Sequence, residues 1–324
     1  MKKLYGGLRR FLHMQEGGII IATIMFAIVV TLRNEVFISP ANLLNVMRST
    51  GFTLIVTIGM TYVLIVGGLD LSVGSVLGLS GTVCAMMLVA GVPMPLAILG
   101  GIATGMLVGF FNGAIIVLAG IPPLIVTLGM QFMARGAIFV LTEGRPVFPL
   151  PREFQAIEQN AIIGRLPNII IIALILAIIA HIILKWTPFG REVYAVGGNV
   201  EAARISGVNI NKVRFSVYAL TGALAGVAGV MLTARLGSAQ ATAGVGFELT
   251  VIAAAIIGGT STFAGVGTIL GSVIGALFMQ ILSNSMTLMR IDVYWQNLVI
   301  GAILILAVAV DQYKRTLIQR KGIR

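Results

Sequence analysis

One aspartate stands between two oily runs in the segment GGLDLSVGS, residues 67–75. Carboxylates at membrane depth are costly and often functional, for example in proton or ion coupling. Asp70 also sits where one apolar run ends and the next begins, with Ser72 and Ser75 nearby. There it can instead cap a helix by accepting the free amides of the first turn. Both roles, pathway and cap, stay open. No second carboxylate deep in the chain's apolar runs is evident to pair with Asp70, which argues against an ion-coupled pump. Arg48 and Arg135 are the other possible intramembrane charges, and each can snorkel its head to an interface while the stem stays in oil. Asn112 and Gln131 are amides inside apolar runs. Such amides find partners, either on a neighbouring helix or on a polar solute in a pathway.

Other chemistries lack their parts. No GxxxxGK[ST] segment is present to cradle the phosphates of a nucleotide. The two histidines, His13 and His181, fall close to span ends, and no serine–histidine–acid set, metal cluster or carboxylate pair has sensible spacing. The reading is a non-enzymatic chain with no catalytic residue, no metal site and no cofactor of its own. The single cysteine, Cys84, excludes an intrachain disulfide and sits in an apolar run, as a packed core thiol does.

The surrounding elements are hydrocarbon. The 324 residues are 58% hydrophobic and 10% charged, where a soluble domain is about a quarter charged. Runs of about 20 apolar residues recur, long enough to cross a bilayer as helices. The fold expected is an all-α polytopic membrane protein, a single transmembrane domain over 1–324. Ten spans are expected, at 17–32, 49–66, 73–90, 95–119, 124–141, 168–185, 214–233, 248–258, 266–283 and 294–310, with prolines at the joints. The run 248–258 is too short to cross straight, at about 15 Å against roughly 30 Å of hydrocarbon, and is expected to be broken or re-entrant. The basic N-terminal segment and the apolar run after it are read as an uncleaved first span.

The net charge of +11 fits basic loops held on the cytoplasmic side better than it fits nucleic acid. Lys2, Lys3, Arg9 and Arg10, then Lys185, Arg191, Arg204, Lys212 and Arg214, then Lys314, Arg315, Arg320, Lys321 and Arg324 form three clusters. Ten spans put all three on one side, with both termini cytoplasmic. Glycines recur every four residues at Gly101, Gly105, Gly109 and Gly113, at Gly222 and Gly226, and at Gly267, Gly271 and Gly275. Such spacing makes smooth helix faces, suited to close packing in lipid or to sliding as a gate opens.

A polar segment, GGNVEAARISGVNINKVRF (197–215), interrupts the hydrocarbon. Asn199 is placed to cap a two-turn helix from Val200, Glu201 suits its positive end, and Gly207 is placed to stop it. Ala202 and Ile205 share a face with Ala203 beside it. Such a helix suits a groove in another protein, or lies flat on lipid.

These residues carry a resemblance. EAARISG (201–207) matches the EAA–three residues–Gly core of the loop in permease subunits of bacterial ABC importers, without that loop's later Leu-Pro. GGLDLSVGSVLGLSG (67–81), FGREVYAVGGNVEAARISGVN (189–209), ARLGSAQATAGVGFELTVIAAAIIGGTSTFAGVGT (234–268) and the YWQ of 294–296 are similar to the ribose-type monosaccharide permeases over nearly the whole chain. The resemblance implies a multi-pass subunit of the bacterial inner membrane that imports a monosaccharide. Its expected partners are a cytoplasmic ATPase holding ATP and Mg, a periplasmic sugar-binding protein, a second permease copy and lipid. Within a coupling loop at 186–213, Glu201, Ala202, Ala203, Arg204 and Gly207 would meet the ATPase. Asp70, Leu71, Ser72 and Gly74 match a signature between the second and third spans. The segments 145–165 and 235–246 would face the binding protein. A permease for branched-chain amino acids, and a secondary transporter or channel, are the competing readings.

Overall fold

The computed structural model describes residues 17–261 and 265–322. Lys2, Lys3, Arg9, Arg10, His13 and Arg324 lie outside the described residues, as do the side chains of Lys314, Arg315, Arg320 and Lys321. Among the described residues there are thirteen α-helices. In chain order they are α1 (Gly17–Arg33), α2 (Pro40–Ile65), α3 (Val73–Val89), α4 (Met94–Leu118), α5 (Pro123–Thr142), α6 (Arg152–Gln159) and α7 (Asn168–Trp186). Then follow α8 (Pro188–Gly198), α9 (Val200–Ile205), α10 (Ile210–Leu236), α11 (Phe247–Ile257), α12 (Ile269–Leu288) and α13 (Val293–Gly322).

All ten expected segments are helical. Seven are long and apolar enough to cross a membrane, and α1, α3 and α11 are shorter, at 17, 17 and 11 residues. The prolines act as starters. Pro40, Pro123 and Pro188 occupy the first helical position of α2, α5 and α8, where a missing N–H costs nothing. Ser39 caps α2 through the Asn42 amide, and Thr268 caps α12 through Gly271. The start expected for α2, near residue 49, is therefore nine residues late. Asn42, Asn45 and Arg48 lower the local hydropathy, but the Ser39–Pro40 start lies before them.

α2 is the centre of the bundle. Every residue from Thr50 to Ile65 is buried. α10 packs beside it and has buried residues in every turn from Ile210 to Ala234. α4 turns large side chains outward, with Leu99, Leu107 and Phe111 exposed, and buries Gly101, Gly105, Gly109 and Gly113. That inside-out pattern suits lipid, where apolar side chains need no burial and close backbone contact supplies the attraction. A Cβ on Gly222 would meet the Gly105 carbonyl, and one on Gly105 would meet that of Gly222. Gly109 lies against the Tyr218 carbonyl, and Gly271 and Gly275 against Gly258 and Ala254. Gly226 packs on Ile102. Gly267 departs from the expected helical stripe. It precedes the Thr268 cap, outside α12, and lies against Thr260 and Ile65.

Two loops turn back into the bundle. After α2, the loop 66–72 brings the Leu69 carbonyl to the Tyr218 hydroxyl (3.4 Å) and the Thr127 hydroxyl (3.3 Å). Tyr218 lies about 12 Å along α10 from its start, so α3 begins inside the bundle. After α10, the loop 237–246 brings the carbonyls of Ala241 and Ala243 to Arg135, each at 2.8 Å. Arg135 lies about 10 Å short of the end of α5. α11 therefore also starts inside, which explains its length. It spans about 16 Å and is enclosed by protein, with Val251 to Ile256 buried. The second loop meets the start of α3, just after the first loop, where Gly74 and Gly244 lie backbone to backbone. Gly244 has φ +75°, a conformation L side chains rarely adopt, so this position needs glycine twice over.

Candidate functional site

The first locus is the junction of the first loop with α3, beside the second loop. Asp70 is buried, and its Oδ1 accepts the Ser72 amide at 2.9 Å and the Ser72 hydroxyl at 2.6 Å. Ser72 itself occupies the cap position of α3. Asp70 thus pins the loop rather than capping the first turn of α3, because the two-residue reach from Asp70 to Ser72 closes a local turn first. Asn112, fully buried on α4, donates to the Ser72 hydroxyl at 2.9 Å, and its own Oδ1 has no hydrogen-bond partner. Asp70, Ser72 and Asn112 thus form one chain of bonds. Leu71 packs against the core, and Gly74 lets the α11 loop approach.

Gln131 donates to Glu248 Oε1 at 2.9 Å, and Glu248 is buried at the start of α11. The two amides singled out from the sequence are therefore both engaged between helices. Glu248 was not singled out. It reads as the polar edge of a short span, and only the re-entrant loop carries that edge into the bundle. The expectation of a lone deep carboxylate is corrected accordingly. Arg135 is likewise not snorkelling to an interface. It is held among protein carbonyls, because the loop 237–246 places acceptors within its reach.

The second locus is the polar knob. Asn199 Oδ1 accepts the Ala202 amide at 3.0 Å, and Gly207 ends the helix with φ +82°. Ala203 is buried against the bundle, whereas Ile205 is 85% exposed. Glu201 and Arg204 lie 3.6 Å apart with both side chains exposed, a pair that contributes little to stability. Beside them is a groove of about 410 Å³ lined by Val200, Arg204, Val208, Asn209 and Arg214. α8, directly before α9, was not anticipated as a helix. The Tyr194 hydroxyl on it donates to the Gly267 carbonyl at 2.7 Å, and Gly197 presses on the Ile65 carbonyl and Gly265. The knob thus stands on a platform touching the end of α2 and the loop before α12.

The third locus is at the opposite end. α6 lies within what reads in sequence as a loop. Arg48 Nε lies 3.0 Å from Glu158 Oε1, so Arg48 is paired rather than snorkelling. Arg235 donates to Asn45 at 3.0 Å and stacks over Phe52 at 5.6 Å. Burial holds the Glu158 carboxyl above the ordinary carboxylate range, and the charges of Arg48 and Arg235 pull it partly back. An acid whose folded-state pKa is raised binds its proton more tightly when folded. Its contribution is fully present below the unfolded-state pKa and is lost as pH rises through the folded one. Glu158→Gln never ionises, so the decline of melting temperature with rising pH is expected to be shallower in that variant than in the wild type. A steeper decline in the variant would contradict the assignment.

Comparison with known proteins completes the site. A family model described as the permease component of branched-chain amino acid transport systems matches residues 42–308. The ribose import permease protein RbsC of Haemophilus influenzae is 39% identical over 311 residues, covering 95% of each chain. RbsC of Bacillus subtilis is 38% identical over 303 residues, 93% of this chain and 94% of the relative. The D-allose transport system permease protein AlsC of Escherichia coli is 37% identical over 297 residues, 91% of each. No solved structure matches.

Proposed function

The chain belongs to the family of permease components of branched-chain amino acid transport systems, and from that premise we propose that it is the membrane-spanning subunit of an ATP-driven monosaccharide importer. The observation that carries the reading is the capped two-turn helix α9, with its outer apolar residue bare, in a chain whose relatives are named for ribose and allose. A bare isoleucine on a polar loop suits a cleft in a partner. A separate ATPase, holding ATP and Mg, docks over Glu201, Ala202, Arg204 and the groove beside them. This places the α8–α9 end in the cytoplasm, with both termini on that side and the subunit in the inner membrane. α6 and the loop 237–246 then face outward, where a sugar-loaded binding protein delivers its cargo. A second permease, identical or related, completes the passage. Closure of the ATPases moves the knob, and the α8 platform passes that movement to α2 and to the loop before α12.

The coupling assignment predicts that Glu201→Arg and Gly207→Leu abolish sugar uptake in proteoliposomes while the ATPase still hydrolyses ATP. Gly207→Leu places a side chain in the left-handed region, at a cost of about 1–2 kcal/mol, and misaims the helix end. Normal uptake in both variants would refute it. The family description favours a second reading, import of branched-chain amino acids. Uptake of labelled leucine but not of ribose, allose or xylose by the assembled importer would establish that alternative.

A further inference from the structure

A polar seam runs the length of α2 where it meets α12. On α2 the residues Asn42, Asn45, Ser49, Thr53, Thr57 and Thr61 follow one another at three- or four-residue steps, which places them on one face. α12 answers from its side. Thr61 shares a hydrogen bond with Ser272 at 2.6 Å. Gln280 donates to the Thr53 hydroxyl at 2.7 Å, and Asn42 and Asn284 exchange amide bonds at 2.9 and 2.8 Å. At the α8–α9 end the seam is sealed, since Thr57, Thr61 and Ser272 are completely buried. Towards the other end it opens into a pocket of about 120 Å³ lined by Asn45, Ser49, Gln280, Ser283, Asn284 and Thr287. Its one apolar lining residue is Val46.

The seam's composition is informative. The paired groups satisfy one another across the seam, and the hydroxyls of the open lining, Ser49 and Ser283 among them, would cost several kcal/mol each if turned to hydrocarbon without partners. The lining residues carry no charge of their own, although the Arg235 guanidinium donates to Asn45 Oδ1. Amides and hydroxyls offer donors and acceptors together, the complement of a neutral polyol. Ligand pockets commonly begin near 300 Å³, so this pocket is one wall of a passage rather than an enclosing site. Resting on the importer reading above, we propose that the α2–α12 groove is the first membrane subsite for the sugar. Its open end faces the binding protein, and the Thr57–Thr61–Ser272 segment is its closed inner gate.

The single native cysteine makes a direct test possible, because Cys84 is completely buried. Ser283→Cys and, separately, Thr287→Cys are placed in the complete importer, reconstituted with its ATPase and binding protein. A membrane-impermeant thiol reagent is applied from the binding-protein side, with Ile305→Cys on the outward face of α13 as the lipid-facing control. Both groove variants are expected to react and Ile305→Cys not to. Binding protein loaded with D-ribose, D-allose or D-xylose is expected to slow the groove reaction about tenfold, the effect of one well-made hydrogen-bonded contact. Groove variants as unreactive as Ile305→Cys would overturn the proposal. So would labelling unaffected by a sugar that the same preparation imports, which leaves the importer reading standing. Import of leucine and of none of the three sugars would overturn the importer reading and the groove assignment with it.

Discussion

Gly222→Leu is expected to abolish the folded, transport-competent protein. The α4–α10 interface is built backbone on backbone, with Gly105, Gly109 and Gly113 lying against Gly222, Tyr218 and Phe215. In lipid the two helices gain almost nothing from the hydrophobic effect, so this contact is the attraction that joins them. Even a methyl on Gly222 would overlap the Gly105 carbonyl, and the obstacle is backbone that cannot rotate away. A leucine forces the helices apart along the whole stripe. Overpacking costs about 1–3 kcal/mol where side chains can adjust, and more where only backbone is available to move. The check is melting temperature and monodispersity in detergent, beside Gly129→Leu on α5. A Cβ at Gly129 meets nothing within 4 Å, so that control is expected to stay within about 0.5 kcal/mol of wild type. Equal behaviour of the two variants would refute the packing role of the stripe.

Arg135→Leu carries the second large effect. One guanidinium nitrogen holds both the Ala241 and Ala243 carbonyls at 2.8 Å, and these belong to the loop that starts α11 inside the bundle. Hydrogen bonds from a charged donor contribute about 1.5–3 kcal/mol each. Leucine also leaves buried Glu248 without its nearby positive charge. The loop 237–246 is expected to lose protection against hydrogen exchange, and sugar import is expected to fall by at least about tenfold, corresponding to one such bond. Arg135→Lys, which keeps the charge but lacks the planar fork, is expected to recover only part of both signals. Unchanged exchange in Arg135→Leu would show that the loop is held by something else.

How much of the site was legible depended on whether its signal was local. The α9 knob was legible because Asn199, Glu201 and Gly207 act within one nine-residue stretch, each on its own neighbours in sequence. The glycine faces of α4 and α10 were legible because four-residue spacing defines a helix face wherever the helix goes. Gly267 escaped the same rule because Thr268 starts α12 after it. Glu248 and Glu158 were not legible as buried groups, nor Arg135 as a group held by loop carbonyls. Their placement depends on two loops that re-enter the bundle and on a short helix, α6, that folds over the end of α2.

By itself the sequence determined the all-helical, bilayer-spanning class, the polar knob and the glycine faces. Each follows from composition or from contacts within a few residues. Only the tertiary structure decided which distant polar groups face one another: Ser72 with Asn112, Gln131 with Glu248, and α2 with α12 along the polar seam. Those pairings join residues up to 242 positions apart. They are set by how the helices pack, which hydropathy does not encode when lipid and protein interior are equally apolar.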